Sequence, residues 1–507
     1  MSFRAPSKPS EAAGKVPLRK PFAPVQWVPP ADSAAPSPDP AQQTEHQLNF
    51  ALWMTVLLLI THFARPFEIV LVGYHIPAVI CTIGIAVAVF CRALSRLGSS
   101  TGIALAAFIG WMIIACPEST WRSGSIQYVF WYIVFWVVLM VMIAQTPRSA
   151  KDLARLGALT GICCLFSLLI LSDDASGRLA SSGTFGNSDD VALMAGYAIP
   201  FTVLWAQRFK DPILRYSLMA LTVGYLLLSV FRTATRAAIP AVLLMFCVYF
   251  FRNNILQKFL LIFIVVVVGP TVFLMLPQTT ITRLATIVYS FDSDSINQMQ
   301  GDSEAMASTS ERRDLLSDAI KMTIDNPLFG VGPGEFPDYR HEYLRYPNGD
   351  HKRFFPSHNT FAQIASESGV PGLLLYLLFL WSIIRTCRRV RKLSRSIQHP
   401  DSNLFNEIST CIEAALLYFL ACAFFMTCDR HPHQFVIAGM AISMEALLRK
   451  ILADQATASA TPDPETPDPA YIDRQPASSG NKRLPRFLRQ PRFSAETSPL
   501  PPTRLTR

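Results

Sequence analysis

Charge is scarce in this 507-residue chain: Asp, Glu, Lys and Arg together make up 16% of it. Soluble proteins carry about 25%. Whole stretches have no charged residue at all, among them Ile103–Cys116, Tyr128–Ala144 and Phe259–Leu276. A helix packed on a soluble core needs one apolar stripe, whereas a helix facing lipid is apolar on every side. These blocks fit the second case. CxxC spacing is also missing. Of the ten cysteines, Cys81, Cys163, Cys164, Cys247 and Cys422 lie inside apolar blocks. That excludes a zinc ribbon or a disulfide framework as the organising principle and points to packing. No apolar run precedes Leu48, so no secretory leader is expected and the first span should remain as an anchor. Residues 1–46 and 453–507 are rich in Pro, Ala and Ser and lack apolar periodicity. They cannot bury enough surface to offset the entropy of ordering, so both tails are expected to be disordered.

What is present is a series of apolar blocks with basic punctuation. The net charge is +9, but the basic residues fall between the blocks and in the tails. They read as topology signals and not as a nucleic-acid surface. Spans are expected near 48–64, 74–91, 103–117, 126–144, 157–172, 189–206, 214–230, 237–251, 259–276, 370–386, 408–427 and 434–450. Arg92/Arg96, Arg148/Lys151/Arg155, Arg208/Lys210/Arg215, Arg252/Lys258 and the run Arg385–Arg395 occupy every second connection. The positive-inside rule puts those loops and both termini in the cytoplasm. The fold class expected is all-α: a polytopic transmembrane helical bundle of about 12 spans over residues 47–452. A large helical extracytoplasmic loop, 277–369, separates spans 9 and 10. A structureless loop of that length would be unusual, so the segment is expected to be functional.

Within the loop, Ser308–Asp325 reads as a helix. Ser308 and Glu311 have capping-box spacing, and Asn326–Pro327 ends it. At about 100° per residue, Leu315, Leu316, Ala319, Ile320, Met322 and Thr323 form one stripe, with Asp314, Ser317, Asp318 and Lys321 opposite. Arg312 falls in the middle of the apolar stripe and Arg313 at its edge. An arginine aimed at the protein needs an anion or a set of acceptors; the bland alternative is one that snorkels or pairs with a structural carboxylate. The following Pro327–Gly334 turn contains Gly-Val-Gly-Pro-Gly, but a dinucleotide-binding turn needs a strand before it and a helix after it. A tight turn that redirects the chain is the better reading. The segment from Pro356 to Gly369 reads as a short helix with Ser357 near its N-cap and Gly369 as its stop. His358 would sit in the first turn, where the positive helix end disfavours imidazolium, so a neutral histidine able to accept a proton is expected. Asp292-Ser-Asp294 has the form of a metal-binding acidic motif, but no metal site is expected there. Arg178 precedes the Gly-Thr-Phe-Gly-Asn187 turn, and Thr235-Arg236 starts a span.

Together, the RLASSGTFGN, TATR, SERRDLLSDAIKMTIDNPLFGVGPGEF and SHNTFAQIASESGVPGLLLY segments resemble the O-antigen ligase and O-antigen polymerase superfamily of bacterial membrane glycosyltransferases. The resemblance spans roughly residues 178–372. It implies a metal-independent, inverting enzyme without cofactors in the bacterial cytoplasmic membrane. The enzyme would move a glycan from a polyprenyl-diphosphate carrier to a lipid, glycan or protein hydroxyl during cell-surface polysaccharide biosynthesis. By the same resemblance, the paired arginines are Arg236 and Arg312 and the histidine is His358, with Arg178 and Asn359 as positioning candidates for sugar or phosphate. The chain departs from the family pattern at Ser188, Asp189 and Leu316. Ligase and polymerase are alternatives within this class. A transporter or flippase, or a scaffold working through the tails, stands outside it. Nucleic acid is not an expected partner; membrane lipids are.

Overall fold

The computed structural model describes residues 40–65, 75–173, 179–180, 187–252, isolated positions between 255 and 281, 303–397 and 399–460. These are almost wholly helical, with one two-residue antiparallel pair, Ser172–Asp173 against Leu179–Ala180. Among the described residues six helices are long and apolar enough to cross a bilayer: Ser100–Glu118, Arg122–Gln145, Ala150–Leu169, Pro212–Arg232, Thr360–Ser394 and Ser402–Ala423. Three shorter apolar helices, Asn49–Ala64, Ile76–Phe90 and Ala238–Arg252, sit where spans are expected. Helices Ser188–Ala206 and His433–Ala460 cover two more expected positions. The expected span at 259–276 lies largely outside the described residues. Helix begins at Pro40 and ends at Ala460, several residues into each expected tail.

Short polar residues start these helices by capping. Ser99 Oγ accepts from Gly102 N–H, Ser149 Oγ from Asp152 N–H, Asn187 Oδ1 from Asp190 N–H and Asp211 Oδ1 from Ile213 N–H. Each satisfies one of the backbone donors that a helix start leaves without an intrahelical partner. Between apolar helices in lipid, association depends on close packing and interhelical hydrogen bonds. The Ser188–Ala206 helix packs against Ala150–Leu169, Pro212–Arg232 and Ser402–Ala423. Gly196 lies against the Tyr418 ring, where a Cβ would come within 2.0 Å of Cζ. The Tyr418 hydroxyl donates to Ala192 O at 2.7 Å, and the Tyr197 hydroxyl to His433 O at 2.9 Å. Large apolar side chains such as Ile103, Phe130, Leu243, Leu374 and Trp381 are left outward, as a lipid-facing surface requires.

The Ser303–Asp325 helix lies on the Thr360–Ser394 helix. It starts five residues before the expected Ser308, which lies inside the helix. It ends before Asn326–Pro327 as expected. Its buried face is Leu315, Asp318, Ala319 and Met322, whereas Leu316 and Ile320 are exposed. The stripe is therefore rotated from the expected one, because Asp318 has partners inside. Arg340 Nε donates to Asp318 at 2.8 Å and Lys352 Nζ at 2.6 Å. A buried carboxylate held by two cations is tolerated where a lone one is not. With Val331 and Phe336, the apolar members form a small core separate from that of the bundle.

The Pro327–Gly334 turn is a docking device. Val331 N–H donates to Ser366 O at 2.8 Å, Gly332 N–H to Glu367 O at 3.0 Å and Gly334 N–H to a Glu367 carboxylate oxygen at 2.9 Å. Those amides are occupied by protein, which agrees with rejecting a phosphate-cradling loop. Gly369 stops the short helix as expected, and a second helix follows at once across a kink. At φ 69° and ψ −179° it lies outside helical space, between the short helix and the one that runs to Ser394. A Cβ there would meet Leu328 O at 2.1 Å, in a region of backbone space nearly exclusive to glycine. Gly369→Ala is expected to destabilise the protein by about 3 kcal/mol. Unfolding of the purified variant in detergent measures this, and an unchanged midpoint would show that the turn does not need the close approach.

Candidate functional site

Contacts between the starts of the Ser188–Ala206 and Thr360–Ser394 helices, the turn at Thr235, the Ser303–Asp325 helix and the 424–428 connection build the candidate site. Asn359 caps the Thr360–Ser394 helix through Ala362 N–H, at 2.9 Å. This corrects the expectation for Ser357, whose Oγ instead donates to Asn359 O and accepts from Asn359 N–H. The Asn359 amide also donates to Phe424 O at 3.0 Å. Thr360 is tied to Met426 O and Cys428 N–H. The Asn359 amide nitrogen and the Thr360 hydroxyl thus hold the residues just after His358 against the 424–428 connection.

Arg312 and Thr235 converge on one carboxylate. Arg312 Nη2 donates to Asp189 Oδ2 at 2.8 Å, and Thr235 Oγ1 donates to Asp189 Oδ1 at 2.9 Å. Asp189 is in the first turn of the Ser188–Ala206 helix, where the exposed N–H groups favour an anion. Of the two alternatives for Arg312, pairing with a carboxylate is what the fold shows. Arg236 follows Thr235 in a turn where Ala234 takes a left-handed conformation, φ 53°. That turn sets Arg236 beside the residue that holds Asp189, half-buried.

His358 belongs to the same cluster. Burial lowers its pKa, the Arg312 guanidinium lowers it further, and Asp189 and Glu311 oppose the shift. The ring is neutral at neutral pH, as expected, but the main cause is desolvation and not the helix end. His358 precedes the cap and is left-handed at φ 51°. Such conformations are costly for a non-glycine residue and are held by surrounding structure. Arg178 and the Asp292–Asp294 motif lie outside the described residues.

Residues 217–377 match the family model for O-antigen ligase. The match supports the O-antigen ligase and polymerase superfamily. Members of this family are glycosyltransferase-like membrane enzymes. The O-antigen ligase segment contains Arg236, Arg312, His358 and Asn359, and leaves Arg178 and Asp189 outside. Comparison with curated proteins gave no match.

Two residues that sequence reasoning did not assign to the site stand out beside the O-antigen ligase segment. Asp189 was noted only as a departure from the family pattern, yet it joins Arg312 to Thr235. Its position in the first turn after the Asn187 cap was the available signal. His431, in the connection after Ser402–Ala423, has its Nε2 3.6 Å from Asp190 Oδ1. Burial drives its pKa down to about 4, so the contact joins a neutral ring to the carboxyl group at neutral pH.

The two depressed histidines give a pH signature. In the unfolded chain their pKa is about 6.5. Between that value and the folded value, the unfolded state binds more protons, so stability rises with pH. The two histidines therefore contribute stability that is full above about pH 6.5 and weakens as pH falls toward the His431 value of about 4, while Glu335, whose carboxyl pKa burial raises to about 7, contributes in the opposite direction. The difference in thermal unfolding between wild type and His431→Gln across that range isolates the histidine share and checks its sign.

Proposed function

We propose that this chain is a membrane glycosyltransferase in a bundle of twelve crossings. It transfers a glycan from a polyprenyl-diphosphate carrier to an acceptor hydroxyl on the extracytoplasmic face of the bacterial cytoplasmic membrane. The observation that carries the reading is the Arg312–Asp189–Thr235 cluster in electrostatic contact with a neutral His358. An arginine fork suits phosphate oxygens, and its hold strengthens where water is thinned out. Arg312 and Arg236 neutralise the leaving diphosphate. His358 takes the acceptor proton. The acceptor oxygen bonds to the anomeric carbon as the carbon–oxygen bond to the diphosphate breaks, and the diphosphate leaves with the electron pair. Attack opposite the leaving group inverts the anomeric centre.

Asp189 gives the cycle a resting partner. Without donor it keeps the Arg312 guanidinium oriented and compensated. A guanidinium has five N–H donors, and Asp189 engages one of its nitrogens, so an incoming diphosphate can add to the fork or displace the carboxylate. Reconstitution of the full chain with a polyprenyl-diphosphate glycan tests the reading. Transfer to an acceptor, unchanged by a chelator, is expected, and its loss on chelation would overturn the two-arginine clamp. Product size distribution separates ligation from polymerisation.

A further inference from the structure

Away from His358, cations converge on a second site. The Thr360–Ser394 helix carries the histidine end at its start and Arg388, Arg391 and Lys392 at its finish, with Arg395 as its C-cap. At 1.5 Å per residue the helix after the Gly369 kink runs about 27 Å from Val370 to Arg388, close to the roughly 30 Å hydrocarbon thickness of a bilayer. Arg388, Lys392 and Arg395 follow one another at i, i+4 and i+7 and are exposed. Arg391 is buried, with Nη1 on Glu413 at 2.8 Å and Nη2 on Ser409 Oγ at 2.9 Å. Arg252, at the end of the Ala238–Arg252 helix, reaches the other Glu413 oxygen at 3.0 Å.

These five cations line a cavity of 420 Å³. A second cavity of 320 Å³ shares Arg252 and Arg388 and runs on over Leu244, Val248, Phe251, Ile384 and Leu417. The Arg388 guanidinium also lies over the Trp381 ring, 5.7 Å from its centroid. Glu413 is the carboxylate in this lining, so the cations outnumber it five to one. Like charges on one helix face repel, and topology signalling requires basic loops but not their convergence on a cavity. A cationic chamber opening into an apolar slot matches an anion attached to a hydrocarbon chain.

We propose that these joined cavities bind an anionic phospholipid from the leaflet opposite the His358 site. Its phosphate sits among Arg252, Arg388, Lys392 and Arg395, and one acyl chain lies along Leu244, Val248 and Ile384. Arg391 and Glu413 form the floor that fixes Arg252. The site is separate from the proposed glycan transfer and does not depend on it.

The test uses the full chain in detergent, titrated with fluorescent phosphatidylglycerol and, separately, fluorescent phosphatidylcholine. The expected result is tighter binding of the anionic lipid by about tenfold or more, since each basic group near an anionic headgroup contributes about a factor of five. The Arg388→Gln/Lys392→Gln/Arg395→Gln variant, altered only at exposed positions, should lose that preference. A control with Arg155→Gln, Lys210→Gln and Arg215→Gln should keep it. Equal binding of both lipids, or equal loss in the control variant, would overturn the proposal. Displacement of the labelled lipid by inorganic phosphate as effectively as by unlabelled phosphatidylglycerol would also overturn it, making the chamber a site for free anions.

Discussion

Arg312→Ala is expected to leave the protein inserted and folded while slowing glycan transfer about a thousandfold. The size of the effect follows from where the charge acts. A diphosphate leaving group develops negative charge as its bond to sugar breaks, and a preorganised guanidinium meets that charge without reorganising solvent. The fold does not rest on this side chain. The Ser303–Asp325 helix is held by Leu315, Ala319 and Met322 and by the buried Asp318 pairs with Arg340 and Lys352. Arg312 itself retains 36% of its side-chain exposure beside Asp189. A partly exposed ion pair contributes about 1 kcal/mol or less to folding. Rates with a labelled lipid-linked glycan, alongside the unfolding temperature, separate the two effects. Transfer at the wild-type rate would remove Arg312 from the chemistry.

Arg312→Lys sharpens the point. Lysine restores the charge and can still pair with Asp189, but an ammonium cannot present two parallel donors to a phosphate. Its rate should fall between those of alanine and wild type. Wild-type rates with lysine would leave only a point charge at this position and end the case for a bidentate clamp.

The all-helical, multi-pass character was legible because apolar block length follows directly from bilayer thickness. The phase of Arg312 on its helix points it at the protein, where it meets Asp189. The details that escaped are those in which tertiary pairing overrides local pattern. Asp318 looked like a solvated residue and is buried, because Arg340 and Lys352 reach it from the chain that follows. That rotates Leu316 and Ile320 outward. Ser357 looked like the cap, but Asn359 takes the role because its other end can reach Phe424 O. Asp189 as the partner of Arg312 joins positions 123 residues apart, and spacing along one sequence carries no sign of such a contact.

His358→Ala is expected to cost about a hundredfold to ten-thousandfold in transfer rate, the range for a positioned proton acceptor. The pH profile distinguishes that role from a structural one. Because burial and Arg312 lower the pKa of the ring, it is neutral and competent at neutral pH. Activity should be level there and decline only in acid, below the ordinary histidine value of about 6.5. The decline should vanish from the residual rate of His358→Ala. Neighbouring charges should move it in opposite directions. Asp189 raises the pKa of the ring, so Asp189→Asn should carry the acid limb to lower pH while keeping the amide within reach of Thr235. Arg312 lowers it, so the small residual activity of Arg312→Ala should have its acid limb at higher pH. A histidine that merely packs against the cap would lower the rate when removed but leave the acid limb unmoved by either charge. An acid limb that stays fixed across both variants would therefore exclude His358 as the base, even if its alanine variant were inactive.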